Sequence, residues 1–332
     1  MDPVSQGVLG AAAPKSIAPA RHARIALVLG FLAGMAPDLD VLIRSSEDPL
    51  LFLEFHRQFT HSIFFIPVGG FICGWVLHRL FAARHGLDLR TTVLYCTLGY
   101  ATHALLDACT TYGTQLFWPF SDQRFAWNTV SVVDPLFTLP LLLLIGLSVW
   151  RRRASLARIA LVWAVAYPSV GALQRDRAEA IGYQLAAERG HTPLRLEAKP
   201  SFGNLVLWKV VYETEDHYHV DAVRAGHELR VYPGERVEKL DVERDFPWLA
   251  PESQQARDIE RFRWFSNGYL AVEPGNPYRI TDIRYSMVPN EVQGLWSIEL
   301  SPGAKPGEHV GYVVSRDADD RAMAKFRSML LN

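Results

Sequence analysis

Long, nearly uncharged hydrophobic runs fill the chain as far as residue 173, and beyond it apolar and polar positions alternate in short stretches. Five runs, at 25–43, 62–82, 92–112, 130–150 and 154–174, are long enough for a helix crossing a hydrocarbon core. Pro37 ends the clean part of the first, while Pro67, Pro140 and Pro168 interrupt three others. Neighbouring helices can satisfy the carbonyls such prolines free. Residues 1–13 are mildly apolar, lack the basic stretch of a cleavable signal peptide, and predict a short amphipathic helix. Further on, 176–189 predicts a helix prolonging the fifth run, and 251–265 another, opened by Pro251 in its first turn. Strands are expected at 205–213 and 218–224, joined by a turn at Glu215 and Asp216, and at 279–287, 295–300 and 310–315. The expected fold is a mainly α membrane protein of about five transmembrane helices, residues 1–174, followed by a soluble α+β domain built on an antiparallel sheet, residues 175–332.

Charge sharpens this division. Residues 1–173 hold 23 charged side chains and 174–332 hold 46, so the first part calls for an apolar solvent and the second for water. A net charge of -1 gives no reason to expect nucleic acid as a partner. Cys73, Cys96 and Cys109 all lie in the apolar part and read as buried small hydrophobes. Basic residues gather before the first run (Lys15, Arg21, Arg24), between the second and third (Arg79, Arg84, Arg90), and between the fourth and fifth (Arg151, Arg152, Arg153, Arg158). The positive-inside rule makes those regions cytoplasmic. The N-terminus is then inside, and the loops at 44–61 and 113–129, with the soluble domain, face outward.

Seven polar residues of the apolar part carry the candidate chemistry: Asp38, Asp40, His56, His61, His103, Asp107 and Asp134. His103 and Asp107, four apart, share one helix face. At 1.5 Å per residue they lie about 16 and 22 Å from the cytoplasmic end of their helix, in the outer half, the level expected for the other five. A charge at mid-membrane costs about 2.5–3.5 kcal/mol on insertion scales and needs a partner. Neutral imidazole and ionised carboxylate are good ligands for a divalent transition metal, which would also neutralise the acids. Asp38 and Asp40 both reach such a site if the chain after Pro37 turns rather than continuing as a helix. The plainer alternatives are helix-to-helix hydrogen bonds, with Asp134 capping a helix ahead of Pro135, and a proton or ion pathway. Arg57 and Arg124, on the same outer side, could hold a phosphate or carboxylate or simply face headgroups. Tyr112, Trp118 and Trp127 fall where an interfacial aromatic belt belongs. His217 and His219 share a strand face and form a second, weaker metal pair; an exposed edge with solvated histidines is the simpler reading.

The segments Met1-Asp2-Pro3 with Gly7 and Gly10, Gly34-Met35-Ala36-Pro37-Asp38-Leu39-Asp40, and His56-Arg57-Gln58-Phe59-Thr60-His61-Ser62 form a set. With His103-Ala104-Leu105-Leu106-Asp107, Pro119-Phe120-Ser121 and Asp134-Pro135, they resemble the YdjM-like family of inner-membrane metal-dependent hydrolases over residues 1–150. The resemblance implies that Asp38, Asp40, His56, His61, His103 and Asp107 occupy the family's polar positions, and that the setting is a bacterial inner membrane. One departure stands out: many members carry Thr-His near the N-terminus, where this chain has Ser5-Gln6. Gln is a poor ligand, so the first helix is expected to contribute none. The His-x-x-x-Asp helix also resembles that of zinc-dependent phospholipase C enzymes, which points to phosphoesters.

The expected ligands are therefore Asp38, Asp40, His56, His61, His103 and Asp107, for one or two ions, zinc first and manganese second. Asp38, Asp40, His61 and Asp134 are the expected catalytic set. The expected activity is hydrolysis of an ester or phosphoester, with a lipid or lipid-linked headgroup as the natural substrate at the outer boundary of the bilayer. A non-catalytic scaffold with a structural metal and an ion-coupled transporter are the alternatives.

Overall fold

The computed structural model describes residues 1–315 and 319–331. The chain divides into two units: Met1–Ile43, Phe55–Leu173 and Phe202–Leu205 form the first, and Arg44–Glu54, Gln174–Ser201 and Val206–Asn332 the second.

In the first unit, α1 (Pro3–Ile17) leads to α2 (Ala23–Met35), which Pro37 turns into a 3-10 helix over Ala36–Leu42. The short α3 (Leu51–Phe55) belongs mainly to the second unit. Next come α4 (Ile66–Leu77), α5 (Leu89–Cys109), α6 (Pro135–Trp150) and α7 (Ala154–Glu188). Pro67 opens α4 rather than interrupting a span, because a missing N–H costs nothing in a first turn. Among the described residues, three stretches are long and apolar enough to cross a membrane: Ala23–Leu42, Ile63–His85 and Ala154–Glu188. Helix α6 is apolar but has only 16 residues, because Asp134 caps it and residues 130–134 lie outside. Helix α5 has the length, but its threonines, His103 and Asp107 keep it outside that set.

Helix α1 is not the short amphipathic helix expected at residues 1–13. Ser5 to Ala12 are all buried, and the helix packs on α2 and α5. Glycines allow this approach: a Cβ on Gly30 would sit 2.3 Å from the Gly10 carbonyl oxygen, and one on Gly99 2.4 Å from that of Gly30. Without a hydrophobic drive between helices in lipid, such backbone proximity is what holds them together. Asp2, just ahead of Pro3, accepts from the Ser5 amide and caps α1, which gives the Met-Asp-Pro start a local structural role.

The second unit starts from the end of α7, which is one unbroken helix through 176–188. An antiparallel sheet follows: β1 (Arg195–Pro200), β2 (Leu207–Glu213), β3 (His217–Ala225) and β4 (Leu229–Tyr232) in that order, with β5 (Arg236–Glu238) also paired to β3. After α8 (Val242–Asp245) and α9 (Gln254–Phe265) comes a second antiparallel sheet, β6 (Leu270–Val272), β7 (Arg279–Asp282), β8 (Trp296–Glu299) and β9 (Gly311–Val314), then α10 (Asp320–Leu331). Helix α9 starts three residues later than Pro251 suggested, because the Ser253 hydroxyl accepts the Ala256 amide and caps it. Strand β7 stops at Asp282, whose carboxylate turns back to take the Arg284 amide and guanidinium.

His219 is not on a solvated edge. It is 9% exposed on the inner strand β3, its ring stacked on Tyr212 at 4.6 Å and 4.6 Å from His191. Burial first, then His191, Arg189 and His217, push its pKa down to about 4. The unfolded chain takes up this proton near pH 6.5, the folded unit only near 4. Its stability is therefore full above about pH 6.5 and falls toward pH 4, by on the order of 1 kcal/mol after screening. Thermal melts of His219→Phe, which keeps the stack, should show a shallower loss over that interval; an unchanged slope would assign it to other groups.

Candidate metal centre

Helix α5 is capped at Asp88, whose carboxylate accepts the Thr91 amide at 2.8 Å. It carries His103 and Asp107 on one face, both fully buried. The 3-10 turn after α2 brings Asp38 and Asp40 forward. A third strand of chain, 55–61, bends at Arg57, a non-glycine with φ +65°, before a 3-10 turn that ends on His61. Such left-handed backbone costs about 1–3 kcal/mol and persists only where its surroundings impose it. Here the Arg57 amide donates to Asp40 Oδ2 at 2.9 Å.

Asp38, His61, His103 and Asp107 converge with their ligand atoms within 4.8 Å of one another. The His61 and His103 Nε2 atoms face each other at 2.9 Å. His61 Nε2 lies 3.5 Å from Asp38 Oδ1 and 3.2 Å from Asp107 Oδ2; His103 Nε2 lies 3.4 and 3.6 Å from the same atoms. A tetrahedral site with bonds of about 2.0–2.1 Å has edges of about 3.4 Å.

The outer hydrogen bonds identify these as lone pairs. Gly34 presents only a carbonyl oxygen to His103 Nδ1, at 2.6 Å, so that nitrogen bears the hydrogen. The Thr60 hydroxyl donates to Asp40 Oδ2, so His61 Nδ1, 3.0 Å from the same hydroxyl and 3.2 Å from Asp40 Oδ2, is a donor too. In neutral rings both Nε2 atoms are then acceptors aimed at one point. Asp107 Oδ2 is buried there and accepts no aligned hydrogen bond. Two facing acceptor nitrogens flanked by the Asp38 and Asp107 carboxylates fit a bound cation, with the imidazoles oriented from behind as metal-binding histidines are.

Asp40 serves as an organiser. Its oxygens accept from His56 Nδ1 (2.8 Å), the Arg57 amide and Thr60, and it faces His61. With Asp38 and His56 it forms a second group of potential ligands. Asp134 falls outside both groups. It accepts the Leu136 and Phe137 amides at the start of α6 and the Tyr167 hydroxyl at 2.9 Å, so the capping alternative describes it and the catalytic expectation does not.

Three residues given no such role by their sequence join the cluster. Gln6, expected to contribute no ligand, is fully buried, and its Nε2 donates to Asp107 Oδ1 at 2.8 Å. The Met1 amino group pairs with the same oxygen. Arg57 does not face outward for an anion: it is 4% exposed, lies 3.0 Å from Asp107 Oδ2 and donates to the Thr110 hydroxyl at 2.9 Å. Tyr112 lies 4.8 Å from the Arg57 guanidinium and 5.3 Å from that of Arg124. A buried cation beside an acid four residues from a histidine leaves no periodic mark, which is why spacing missed it.

The family model described as YdjM inner membrane protein matches residues 1–178. Inner membrane protein YbcI of Escherichia coli (strain K12) is 31% identical over 150 residues, covering 38% of this chain and 84% of YbcI. Uncharacterized protein YfhP of Bacillus subtilis (strain 168) is 30% identical over 111 residues, 33% of each chain. No solved structure matches. The family match takes in every residue of the Asp-His cluster, and with more than half of the sequence inside it, this chain belongs to the YdjM family of inner membrane proteins.

Proposed function

We propose that this chain is a membrane-embedded, metal-dependent hydrolase of an ester or phosphoester, with a lipid or lipid-linked headgroup as substrate. The observation that carries the reading is the pair of His61 and His103 Nε2 lone pairs, 2.9 Å apart and flanked by Asp38 and Asp107. His61, His103 and Asp107 are sealed, whereas Asp38 keeps 21% of its side chain exposed, so the cluster opens on one side, as a catalytic rather than a closed structural site does. When bound, a zinc or manganese ion supplies a Lewis acid that acidifies water and polarises the scissile ester. Asp40 and the Gly34 carbonyl hold the two imidazoles in register. His56, its Nδ1 tied to Asp40, offers Nε2 to take a proton at the partly exposed edge of the cluster. In this reading five helices cross an inner membrane, the N-terminus is cytoplasmic, and residues 175–332 form a periplasmic domain.

Purified protein in detergent, assayed on phosphate and carboxylate esters of lipid analogues, tests this. Turnover should vanish on chelation and return with Zn²⁺ or Mn²⁺. His56→Gln should lower kcat about 10²–10⁴-fold while bound metal is retained. Metal bound without turnover on any ester would favour a structural ion, and ion flux in vesicles that survives chelation would favour a transporter.

A further inference from the structure

Strand β2 carries a lysine on its apolar face. Leu207 and Val211, two positions to either side of Lys209, share that face and are fully buried. Leu207 packs with Val288, and Val211 with Ile283 and Val292, so the face is turned to the 283–292 stretch. Lys209, itself buried, reaches the same stretch. Its Nζ donates to Ser286 Oγ at 2.8 Å and to the Glu291 carbonyl at 2.7 Å. All of these residues lie within the second unit. Burial pulls the Lys209 pKa down to about 7, against the weaker opposing effect of Asp282, Glu235 and Glu291. A neutral amine is therefore well populated at neutral pH, the state in which a lysine acts as a base.

Ser286 is half-buried, and its Oγ donates to the Val288 carbonyl at 2.6 Å while accepting from Lys209. A neutral Nζ has a free lone pair, so the hydroxyl proton can turn from that carbonyl to the nitrogen. The backbone amides of Ser286 and Met287 hydrogen-bond to nothing among the described residues, which leaves them free for an oxyanion beside the hydroxyl. Met287 and Glu291 also line a cavity of about 640 Å³, a size that holds a small acyl substrate. We propose that Ser286 and Lys209 form a second catalytic site, a serine–lysine dyad for acyl transfer from carboxylic esters or amides. Lys209 Nζ takes the hydroxyl proton as Ser286 Oγ bonds to the acyl carbon. The carbonyl oxygen becomes an oxyanion beside the two free amides. Its double bond re-forms as the C–O or C–N bond breaks, and the lysine ammonium protonates the departing alcohol or amine. Water then attacks the acyl-serine with Lys209 as base, releasing the carboxylic acid and restoring the hydroxyl. No step draws on the Asp-His cluster of the first unit, so either site can fail without the other.

A fluorophosphonate, which phosphonylates activated serines with loss of fluoride, tests the dyad on full-length protein in detergent with EDTA present. Wild type should be labelled on Ser286, located by mass spectrometry of its peptides, at a rate that rises with pH through an inflection near 7. Ser286→Ala, which removes one oxygen at a half-buried position, should abolish labelling. Lys209→Arg keeps a charged donor but supplies no base, and should slow labelling about 10²–10⁴-fold. Hydrolysis of short-chain p-nitrophenyl esters should fall in the same order. Should Lys209→Arg unfold the second unit, the pH profile of the wild type and the loss in Ser286→Ala decide the matter. Folded wild type that takes no label on either side of neutral pH, or labelling that persists in Ser286→Ala, would overturn the dyad. Labelling of Ser286 with no inflection near 7, undiminished in Lys209→Arg, would remove the lysine and overturn it equally.

Discussion

His103→Ala is expected to leave the purified protein without stoichiometric divalent metal while its helices remain folded. Removing the imidazole takes away one of four convergent donors and the hydrogen bond to Gly34, so the loss in affinity should exceed the roughly 100-fold that follows loss of an outer partner. Elemental analysis of protein purified with and without added Zn²⁺ reads this directly. Equal metal content in wild type and variant would remove His103 from the site. Asp107→Ala is a less clean test, because it strands the buried Arg57 guanidinium and the Gln6 amide as well as removing a candidate ligand. Breaking one side of a buried ion pair costs about 3–5 kcal/mol, so that variant should also fold poorly. Asp134→Asn is the matching control. It sits at a helix cap outside the cluster, and should keep its metal at a cost of about 1 kcal/mol or less.

The second large effect lies in the packing that holds these candidate ligands. Gly99→Leu should destabilise the first unit by about 3 kcal/mol or more, above the usual range for overpacking, because the new side chain would meet backbone and not a yielding side chain. A Cβ at that position already falls 2.4 Å from the Gly30 carbonyl oxygen and 2.7 Å from its Cα. Helix α2 would be pushed from α5, and with it the Gly34 carbonyl that orients His103. Metal affinity and resistance to detergent or heat should therefore fall together. If Gly99→Leu melts like the wild type, the close approach of α2 and α5 is not what secures the unit.

What could be read along the chain was local. The i, i+4 spacing of His103 and Asp107 follows from helix geometry alone, the apolar runs follow from the cost of exposing backbone to lipid, and the alternation at 205–213 and 218–224 follows from strand pleating. Strands β1, β4, β5 and β6 lie outside the stretches in which alternation marks a strand. The amphipathic expectation for residues 1–13 failed because a helix packed through glycines is buried on nearly every side and leaves no polar stripe to read.

The set of seven candidate polar residues came from composition and depth, and the tertiary structure sorted it. Asp38, His61, His103 and Asp107 meet because a 3-10 turn at Pro37 and a left-handed residue at Arg57 redirect the chain, and neither bend has a periodic signature. Asp134 has the same chemistry and the same expected depth, yet its own capping bonds and Tyr167 hold it elsewhere. The contacts of Gln6 and Arg57 with Asp107 join residues about 50 to 100 positions apart. Periodicity and motif spacing report what neighbours in the chain do. Which carboxylate binds, which orients and which merely caps is decided by the distances between segments once they have packed.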